Sequence, residues 1–428
     1  MASPVSVKTP PVAEKDYFTD RSVLLDPYDY FETIRVHGPV YQIGSREDVV
    51  IVTGFAEALE VLLNTRDFSS WLNPDPLTPL PFAVESDDIS ALLAATPSGE
   101  MELMVAYDGD KHAAARSLLN PLFTPSRLKA NEAFMRTYAD DLVRGAVTAG
   151  GCELVAEVAT PFVTMVIADL LGVPADDREA FRQLIDDAPP PGNMDAPESQ
   201  SIHPLMVMAG YFARYIAERR ALPQDDVMTE MANAKLPDGS TPDAMEVVKS
   251  AMFLFAAGQD TSAKLIGNAL RRLCEDQALQ QTLREDRKLI GPFLEEVLRI
   301  EGSTKATFRI ARRATSIGDT AIPAGKRVVI SLSAANRDPR RWEAPEEFRL
   351  GRPRIREHVA FGRGAHTCAG APLARAEVAV ILDRFLEHTS AITLDEAHHG
   401  PADARRIAYE PSYIIRGLAD LHVKFAPA

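Results

Sequence analysis

The sequence predicts a mainly α-helical protein with small, segregated β-sheets. Apolar residues recur with helical periodicity over most of the 428 residues. Few segments look like strands: VYQIG with REDVVIVTG, RVVISLSAAN, and LADLHVKFAP near the end. Helices therefore dominate, and the short strands do not alternate with them as they would in a parallel α/β protein.

The elements follow in order from the N-terminus. Residues 1–16 are rich in proline and are expected to form a flexible arm, followed by a single domain over residues 17–428. DPYDYFETIR predicts an amphipathic helix, VYQIG and REDVVIVTG a hairpin, and FAEALEVLLN a second helix. Further helices are predicted at ANEAFMRTYADDLVRGAV, EVATPFVTMVIADLLG and LMVMAGYFARYIAERRA. Residues 71–104 and 186–203 are irregular, and segments this long are functional lids or linkers.

A long helix is predicted at TPDAMEVVKSAMFLFAAGQDTSAKLIGNALRRLCED. Thr241 is the expected N-cap, and Pro242 occupies the first helical position. Residues 251–257 are apolar all round, which places this helix in the interior. The polar residues 259–262 follow directly. Since buried polar groups are costly without partners, a functional role and a set of satisfied core hydrogen bonds both remain open.

Composition excludes several classes of protein. A net charge of −15 argues against a nucleic-acid binder or a basic membrane-surface protein. The sequence contains no apolar run of about 18 residues, so we expect no membrane anchor and a cytoplasmic location. Cys152, Cys274 and Cys368 are too few for a disulfide framework. Residues 305–375 hold 15 basic and 6 acidic residues, and this basic segment contains Cys368.

The stretch AFGRGAHTCAGAPLARAE places Cys368 at the start of a helix predicted over residues 369–386. Free N–H groups and the helix dipole stabilise a thiolate there. Gly364 could supply a tight turn, and Gly370 a close approach of the backbone to a flat group.

Several interpretations of Cys368 compete with a buried, inert thiol. A structural zinc site is excluded, because it needs four ligands and His366 and Cys368 supply only two. A cysteine nucleophile with His366 as its base is conceivable, but no third orienting group is evident. The remaining interpretation is an axial thiolate ligand to haem iron.

Residues 361–370 are similar to the haem-binding signature of the cytochrome P450 family, Phe-x-x-Gly-x-x-x-Cys-x-Gly. Other elements of that family occur in family order across nearly the whole chain. They are His112 and Arg116 in a helix pair that holds a haem propionate, Gly258, Asp260 and Thr261 in the oxygen-binding groove, Glu296 and Arg299 in the Glu-x-x-Arg motif, Arg309 and His366 at the other propionate contacts, and Arg352 in the same ion network as Glu296.

The resemblance implies the cytochrome P450 fold and a haem b (iron protoporphyrin IX) whose iron is bound by Cys368. Phe361, Gly364 and Gly370 would surround the sulphur, and the four propionate contacts would hold the two carboxylates through charge-assisted bonds. Glu296, Arg299 and Arg352 would be structural. In one departure from the family pattern, Gly302 and Ser303 stand where the family usually has proline, which puts the shape of that loop in question.

The resemblance also implies a monooxygenase that inserts one atom of O2 into a lipophilic small molecule. Asp260 and Thr261 would relay protons as an acid–alcohol pair. The sequence has no flavin or iron–sulphur signature, so electrons from NAD(P)H would arrive through a ferredoxin reductase and a ferredoxin, with Arg116 and Arg363 as candidate contacts. The alternative is a haem-thiolate binding or sensing protein without turnover, and a cysteine hydrolase is more distant. Oligomeric state is not readable from the sequence, and a monomer is the default.

Overall fold

Helices form most of the protein. The computed structural model describes residues 11–72, 76–99, 102–186, 193–195 and 202–428. The α-helices are α1 Arg21–Leu25, α2 Tyr28–Arg35, α3 Phe55–Leu63, α4 Ser90–Ala95, α5 Gly109–Ser117, α6 Pro125–Ala149, α7 Thr160–Leu171, α8 Ala175–Asp186, α9 Ile202–Ala221, α10 Val227–Ala232, α11 Ala244–Glu275, α12 Gln277–Glu285, α13 Ile290–Glu301, α14 Leu332–Ala335, α15 Ala371–His388 and α16 Glu396–His399. Within the described residues, no helix combines the length and hydrophobicity needed to cross a bilayer.

The strands form small sheets apart from the helices, which confirms the predicted fold class. They are β1 Val40–Gln42, β2 Val49–Val52, β3 Phe68–Ser69, β4 Gly151–Glu153, β5 Ala306–Ala311, β6 Thr315–Ile317, β7 Thr320–Ile322, β8 Arg327–Ser331, β9 Thr389–Leu394 and β10 His422–Pro427. One sheet has the order β1-β2-β8-β5-β3, a second has β4-β10-β9, and β6 pairs with β7. β1 and β2 form the predicted antiparallel hairpin, and β2 pairs in parallel with β8.

The central helix α11 packs against α7, α9 and α15. It begins at Ala244, so the expected caps Thr241 and Pro242 were wrong. Asp243 is the N-cap, because its carboxylate accepts the Met245 N–H at 2.8 Å. Thr and Asp are both common N-cap residues, and both occur in the sequence TPD, so the sequence alone did not distinguish Thr241 from Asp243.

Other boundaries also differ from expectation. RVVISLSAAN is only half strand: β8 ends at Ser331, whose hydroxyl accepts the Ala334 N–H and caps α14. Strands β3, β4, β5, β6, β7 and β9 were not predicted. The helix after Cys368 begins at Ala371, with Gly370 as its N-cap and Pro372 in its first turn. Residues 71–104 contain α4, and most of 187–201, including most of the predicted lid, lies outside the described residues.

The apolar core is divided between helices and sheet. The largest cluster lies among α6, α7, α11, α13 and α15, where Phe162, Phe255 and Phe385 are fully buried. Smaller clusters lie against the five-stranded sheet. Segments from both regions, namely α5, α11, β5 and the loop before α15, carry the candidate site residues.

Candidate active site

The loop that carries Cys368 depends on glycines. Gly362 and Gly364 have φ angles of 66° and 77°, in the left-handed region that favours glycine. A Cβ on Gly364 would also lie 2.7 Å from the carbonyl oxygen of Leu62, at the end of α3. The Cys368 N–H then donates to the Phe361 carbonyl at 2.9 Å and closes the loop. The loop is therefore fixed before α15 begins.

The Cys368 sulphur faces an interior space. The residue is exposed, yet burial is the main influence on its thiol and raises its pKa. Backbone N–H groups of Gly370 and Ala371 and the cations Arg116 and Arg375 act in the opposite direction, in favour of the thiolate. A sulphur that is both accessible and closely surrounded lines an enclosed cavity rather than the outer surface.

Gly370 lies beside this sulphur. A Cβ there would lie 3.9 Å from the Cys368 Sγ, which is ordinary contact, and its φ of −78° suits any residue. The protein alone therefore does not require glycine at this position.

Four cationic or hydrogen-bonding side chains converge from three segments: His112 and Arg116 on α5, Arg309 on β5, and His366 in the cysteine loop. The rings of His112 and His366 lie 3.9 Å apart, and His366 Nε2 lies 3.0 Å from the Ser70 hydroxyl. Burial, with Arg309 and His112 nearby, lowers the pKa of His366 to about 3. Burial also lowers the pKa of Arg309 to about 10. The structure thus brings the predicted propionate contacts together.

No carboxylate is ion-paired with the arginines of this cluster in the described chain, although Asp108 acts on Arg309 and His112 from a distance. Within the described chain, neither Arg116 nor Arg309 forms an ion pair, and the nearby Asp108 carboxylate is engaged by Arg312 at 2.6 Å. Uncompensated buried cations are costly, so the arrangement is suited to a ligand that supplies negative charge. A thiol on the cavity wall and a set of donors for two carboxylates fit haem b.

The polar cluster of α11 forms a second part of the site. The Thr261 hydroxyl donates to the Ala257 carbonyl at 3.0 Å. Asp260 Oδ1 lies 3.9 Å from Lys264 Nζ, whereas Asp260 Oδ2 is buried without a hydrogen bond. Burial raises the pKa of Asp260 to about 6, Lys264 lowers it, and Glu410 raises it. An aspartic acid of this kind can exchange a proton near neutral pH.

The predicted ion network is present and fully buried. Glu296 accepts hydrogen bonds from Arg299 at 2.8 and 2.9 Å and from Arg352 at 2.9 Å. Arg299 also donates to the carbonyls of Asn336 and Pro345. The network ties α13 to the segment between α14 and the cysteine loop.

The loop with the unusual Gly302 and Ser303 leaves α13 in extended conformation. Gly302 is the C-cap, with φ −60° and ψ 147°. A Cβ there would lie 2.7 Å from the Leu298 carbonyl oxygen and 3.3 Å from the Ala360 Cβ. The close approach to the Leu298 carbonyl oxygen accounts for the glycine, and Ala360 leaves little further room.

Sequence reasoning missed a second buried network beneath the cysteine loop. Glu295 accepts hydrogen bonds from Arg375 Nε at 2.6 Å and from His358 at 3.0 Å. His358 Nδ1 accepts the Ala360 N–H, so its proton is on Nε2 and is donated to Glu295. The Arg375 guanidinium stacks 4.6 Å from the Phe361 ring. The adjacent glutamates in LEEVLR were a sequence signal, but only one of them was assigned a partner.

Comparisons with known proteins agree with this geometry. The family model described as Cytochrome P450 matches residues 198–408. The cytochrome P450 monooxygenase PikC of Streptomyces venezuelae is 31% identical over 406 residues, 94% of this chain and 91% of PikC. The vitamin D(3) 25-hydroxylase of Pseudonocardia autotrophica is 30% identical over 412 residues, 94% of each chain.

A solved structure agrees over a still larger share of the chain. The substrate-free Mycobacterium marinum cytochrome P450 CYP150A6 has a TM-score of 0.91 and 46% identity, and the match covers 98% of this chain and all of that one. On the matched length and these identities, the chain belongs to the cytochrome P450 family of monooxygenases, a membership that implies a haem held by a cysteine thiolate and a redox partner that supplies electrons.

Proposed function

We propose that this protein is a haem-thiolate monooxygenase that inserts one atom of O2 into a lipophilic small molecule and receives electrons from a ferredoxin. The observation that carries the proposal is the convergence of a closely surrounded thiol with four cationic or donor side chains, whose two arginines form no ion pair within the described residues. When bound, thiolate-ligated haem supplies the activation of O2.

Each residue in the cluster has a distinct role in holding the cofactor. Cys368 would bind the iron, favoured by the N–H groups at the start of α15. His112, Arg116, Arg309 and His366 would bind the two propionates, which would supply the charge that the cluster lacks. The rings of His112 and His366, 3.9 Å apart and tilted by 35°, would offer two donors close together.

Asp260 and Thr261 would deliver protons to the reacting oxygen. The Thr261 hydroxyl is held by the Ala257 carbonyl, so an oxygen lone pair remains to accept a hydrogen bond from water. Asp260, whose pKa of about 6 is raised by burial, can be protonated again after each transfer. This pair favours turnover over mere haem binding.

The substrate is proposed to be lipophilic and of moderate size. Trp71, Leu72, Ile89 and Leu93 pack together in the segment 71–104. Ala257 is exposed in the middle of α11, although Leu254 and Phe255 just before it are buried, so space adjoins the helix at this point. A relative named for hydroxylation of vitamin D(3) supports an apolar substrate class.

A ferredoxin, reduced by NAD(P)H through its reductase, is the proposed electron donor. A depression of about 340 Å³ lined by Arg116, Leu119, Phe123 and Ala369 lies next to the cysteine loop. Arg116 and Arg363 add positive charge there, which suits an acidic partner.

The test is the absorption spectrum of the purified protein after reduction with dithionite and exposure to carbon monoxide. We expect a strongly red-shifted Soret band, because thiolate ligation persists in the reduced complex. Cys368→Ser should abolish the shift, whereas the matched Cys152→Ser should retain it. Haem with an unshifted band in the parent protein would contradict ligation by Cys368.

A second assay separates turnover from binding. The protein is supplied with ferredoxin, reductase and NAD(P)H and screened against lipophilic compounds. Formation of a product that contains one oxygen atom from labelled O2 is expected. NAD(P)H consumption that never exceeds the background for any ligand that alters the haem spectrum would favour a binding or sensing protein.

A further inference from the structure

A buried lysine lies between two carboxylates from distant parts of the chain. Lys264, one turn after Asp260 on α11, is only 6% exposed. Its Nζ donates a hydrogen bond to Glu410 and lies 3.9 Å from Asp260 Oδ1, beyond hydrogen-bond distance. Lys264 is therefore bonded to Glu410 and only electrostatically paired with Asp260.

The lysine stem is fixed by the C-terminal turn that carries Glu410. A Cβ on Gly417 would lie 2.4 to 2.8 Å from the Lys264 Cγ, Cδ and Cε atoms, so the stem lies directly on the backbone of Gly417. The Glu410 N–H donates to the Gly417 carbonyl at 3.0 Å and closes the turn over residues 410–417. The turn therefore sets both the position of the lysine stem and the carboxylate that holds its charge.

The turn is also attached to the loop after α13. The Lys305 N–H donates to the Ile414 carbonyl at 2.6 Å, the Arg416 N–H donates to the Ser303 carbonyl at 2.8 Å, and Thr304 pairs with Ile415. A displacement of either segment would therefore be transmitted to Glu410 and from there to Lys264.

Two buried oxygens make this arrangement adjustable. Asp260 Oδ2 and Glu410 Oε2 both lack a hydrogen-bond partner. Each carboxylate could therefore accept a further hydrogen bond from the Lys264 ammonium. A stronger bond to one carboxylate would weaken the interaction with the other. The charged groups that act on Asp260 are Lys264 of its own helix and Glu410 of the turn packed against it.

We propose that Lys264 and Glu410 are positioning residues for Asp260, and that through them the turn 410–417 controls when Asp260 takes up and releases its proton. This inference rests on the proposed function only in giving Asp260 the role of proton relay. While Glu410 holds the ammonium, Asp260 remains able to bind a proton; when the ammonium moves to Asp260, the carboxylate is stabilised and the relay is interrupted.

The first test is an infrared titration of the resting purified protein, in which the Asp260 carboxyl band is assigned by its loss in Asp260→Asn. Glu410→Gln should lower the midpoint by roughly one pH unit, because a like charge is removed and Lys264 is released to Asp260. Lys264→Gln should raise it, because the attracting cation is removed. Opposite shifts from two neighbouring substitutions would not arise from general loosening of the structure.

Glu246→Gln is the matched control, since Glu246 lies on the same helix and pairs with Lys249 at 3.1 Å. Its midpoint should equal that of the parent protein. Equal midpoints in Glu410→Gln and the parent would overturn the inference.

A second readout is the fraction of NAD(P)H that yields product. Glu410→Gln should lower this fraction several-fold at pH values above its shifted midpoint, with KM for the substrate unchanged. If no substrate is ever turned over, the proposed function fails, yet the infrared shifts still decide the positioning role. If turnover and its pH profile are normal in Glu410→Gln, only the positioning role fails.

Discussion

At the scale of single residues, Glu377 is the clearest buried charge outside the proposed chemistry. It is fully buried on α15, and burial raises the pKa of its carboxyl to about 8. Ser262 lowers that pKa in part, but neither carboxylate oxygen has a hydrogen bond of normal geometry. The native protein therefore holds Glu377 as a neutral acid at neutral pH.

This state makes stability depend on pH. In the unfolded chain Glu377 ionises above about pH 4.3, whereas in the native protein it stays protonated up to about pH 8. The unfolded state thus binds fewer protons over this window, and native stability falls as pH rises, by at most about 1.4 kcal/mol for each pH unit.

Glu377→Gln should remove this dependence, because the amide is neutral at every pH. The variant should unfold at the temperature of the parent protein near pH 4 and at a higher temperature near pH 8. Thermal unfolding at both pH values measures the difference. A difference that does not change with pH would mean that Glu377 is already ionised in the native protein.

At the scale of elements, the cysteine loop depends on the conformation of Gly364. Gly364→Ala should destabilise the protein by about 1–2 kcal/mol from its φ of 77° alone, and contact with the Leu62 carbonyl adds to this. Gly291→Ala is the control, because that glycine lies in α13 with no atom within 4 Å of the added Cβ. Thermal unfolding should show a loss for the first variant and no loss for the second; equal midpoints would contradict the strain.

The buried ion network is the second element with a strong prediction. Glu296→Ala leaves Arg299 and Arg352 without their carboxylate and should cost about 3–5 kcal/mol. We expect loss of soluble or haem-loaded protein, measured as the ratio of haem to protein absorbance. Glu343→Ala, which breaks an exposed pair with Arg349, should leave that ratio unchanged. A normally loaded Glu296→Ala protein would show that the network is dispensable.

Local patterns in the sequence predicted most of the long helices, but they missed short strands such as β5 and β9 and most long-range contacts. The spacing within residues 361–370 and the pair His112 and Arg116 could be identified because each lies within one loop or helix. Lys264 and Glu410 are 146 positions apart, and Ser262 and Glu377 lie on different helices, so no local pattern indicates that they meet. Burial decides the charge state of such groups, and burial is a property of the folded chain.

At the scale of the whole molecule, charge is distributed unevenly. The chain has a net charge of −15, whereas residues 305–375 carry 15 basic residues against 6 acidic ones. Many of those basic side chains form internal ion pairs, as Arg352 does with Glu296 and Arg375 does with Glu295. Arg363, whose guanidinium donates to the Arg356 carbonyl, forms no ion pair within the described residues and remains near the cysteine loop.

This uncompensated charge predicts electrostatic steering of an acidic ferredoxin. Arg363→Gln should lower kcat/KM for ferredoxin by a factor on the order of 10 at low ionic strength, and the difference should shrink as salt is added, since exposed charges are screened beyond about 10 Å at 0.1 M. Arg21→Gln, which removes a more exposed cation on α1 that pairs with Asp195, should leave kcat/KM unchanged. The carbon monoxide spectrum must be the same in all three proteins, so that a loss reflects docking rather than the cysteine loop. If the loss of kcat/KM is equally large at high salt, Arg363 acts through the structure of the protein, and electrostatic steering is refuted.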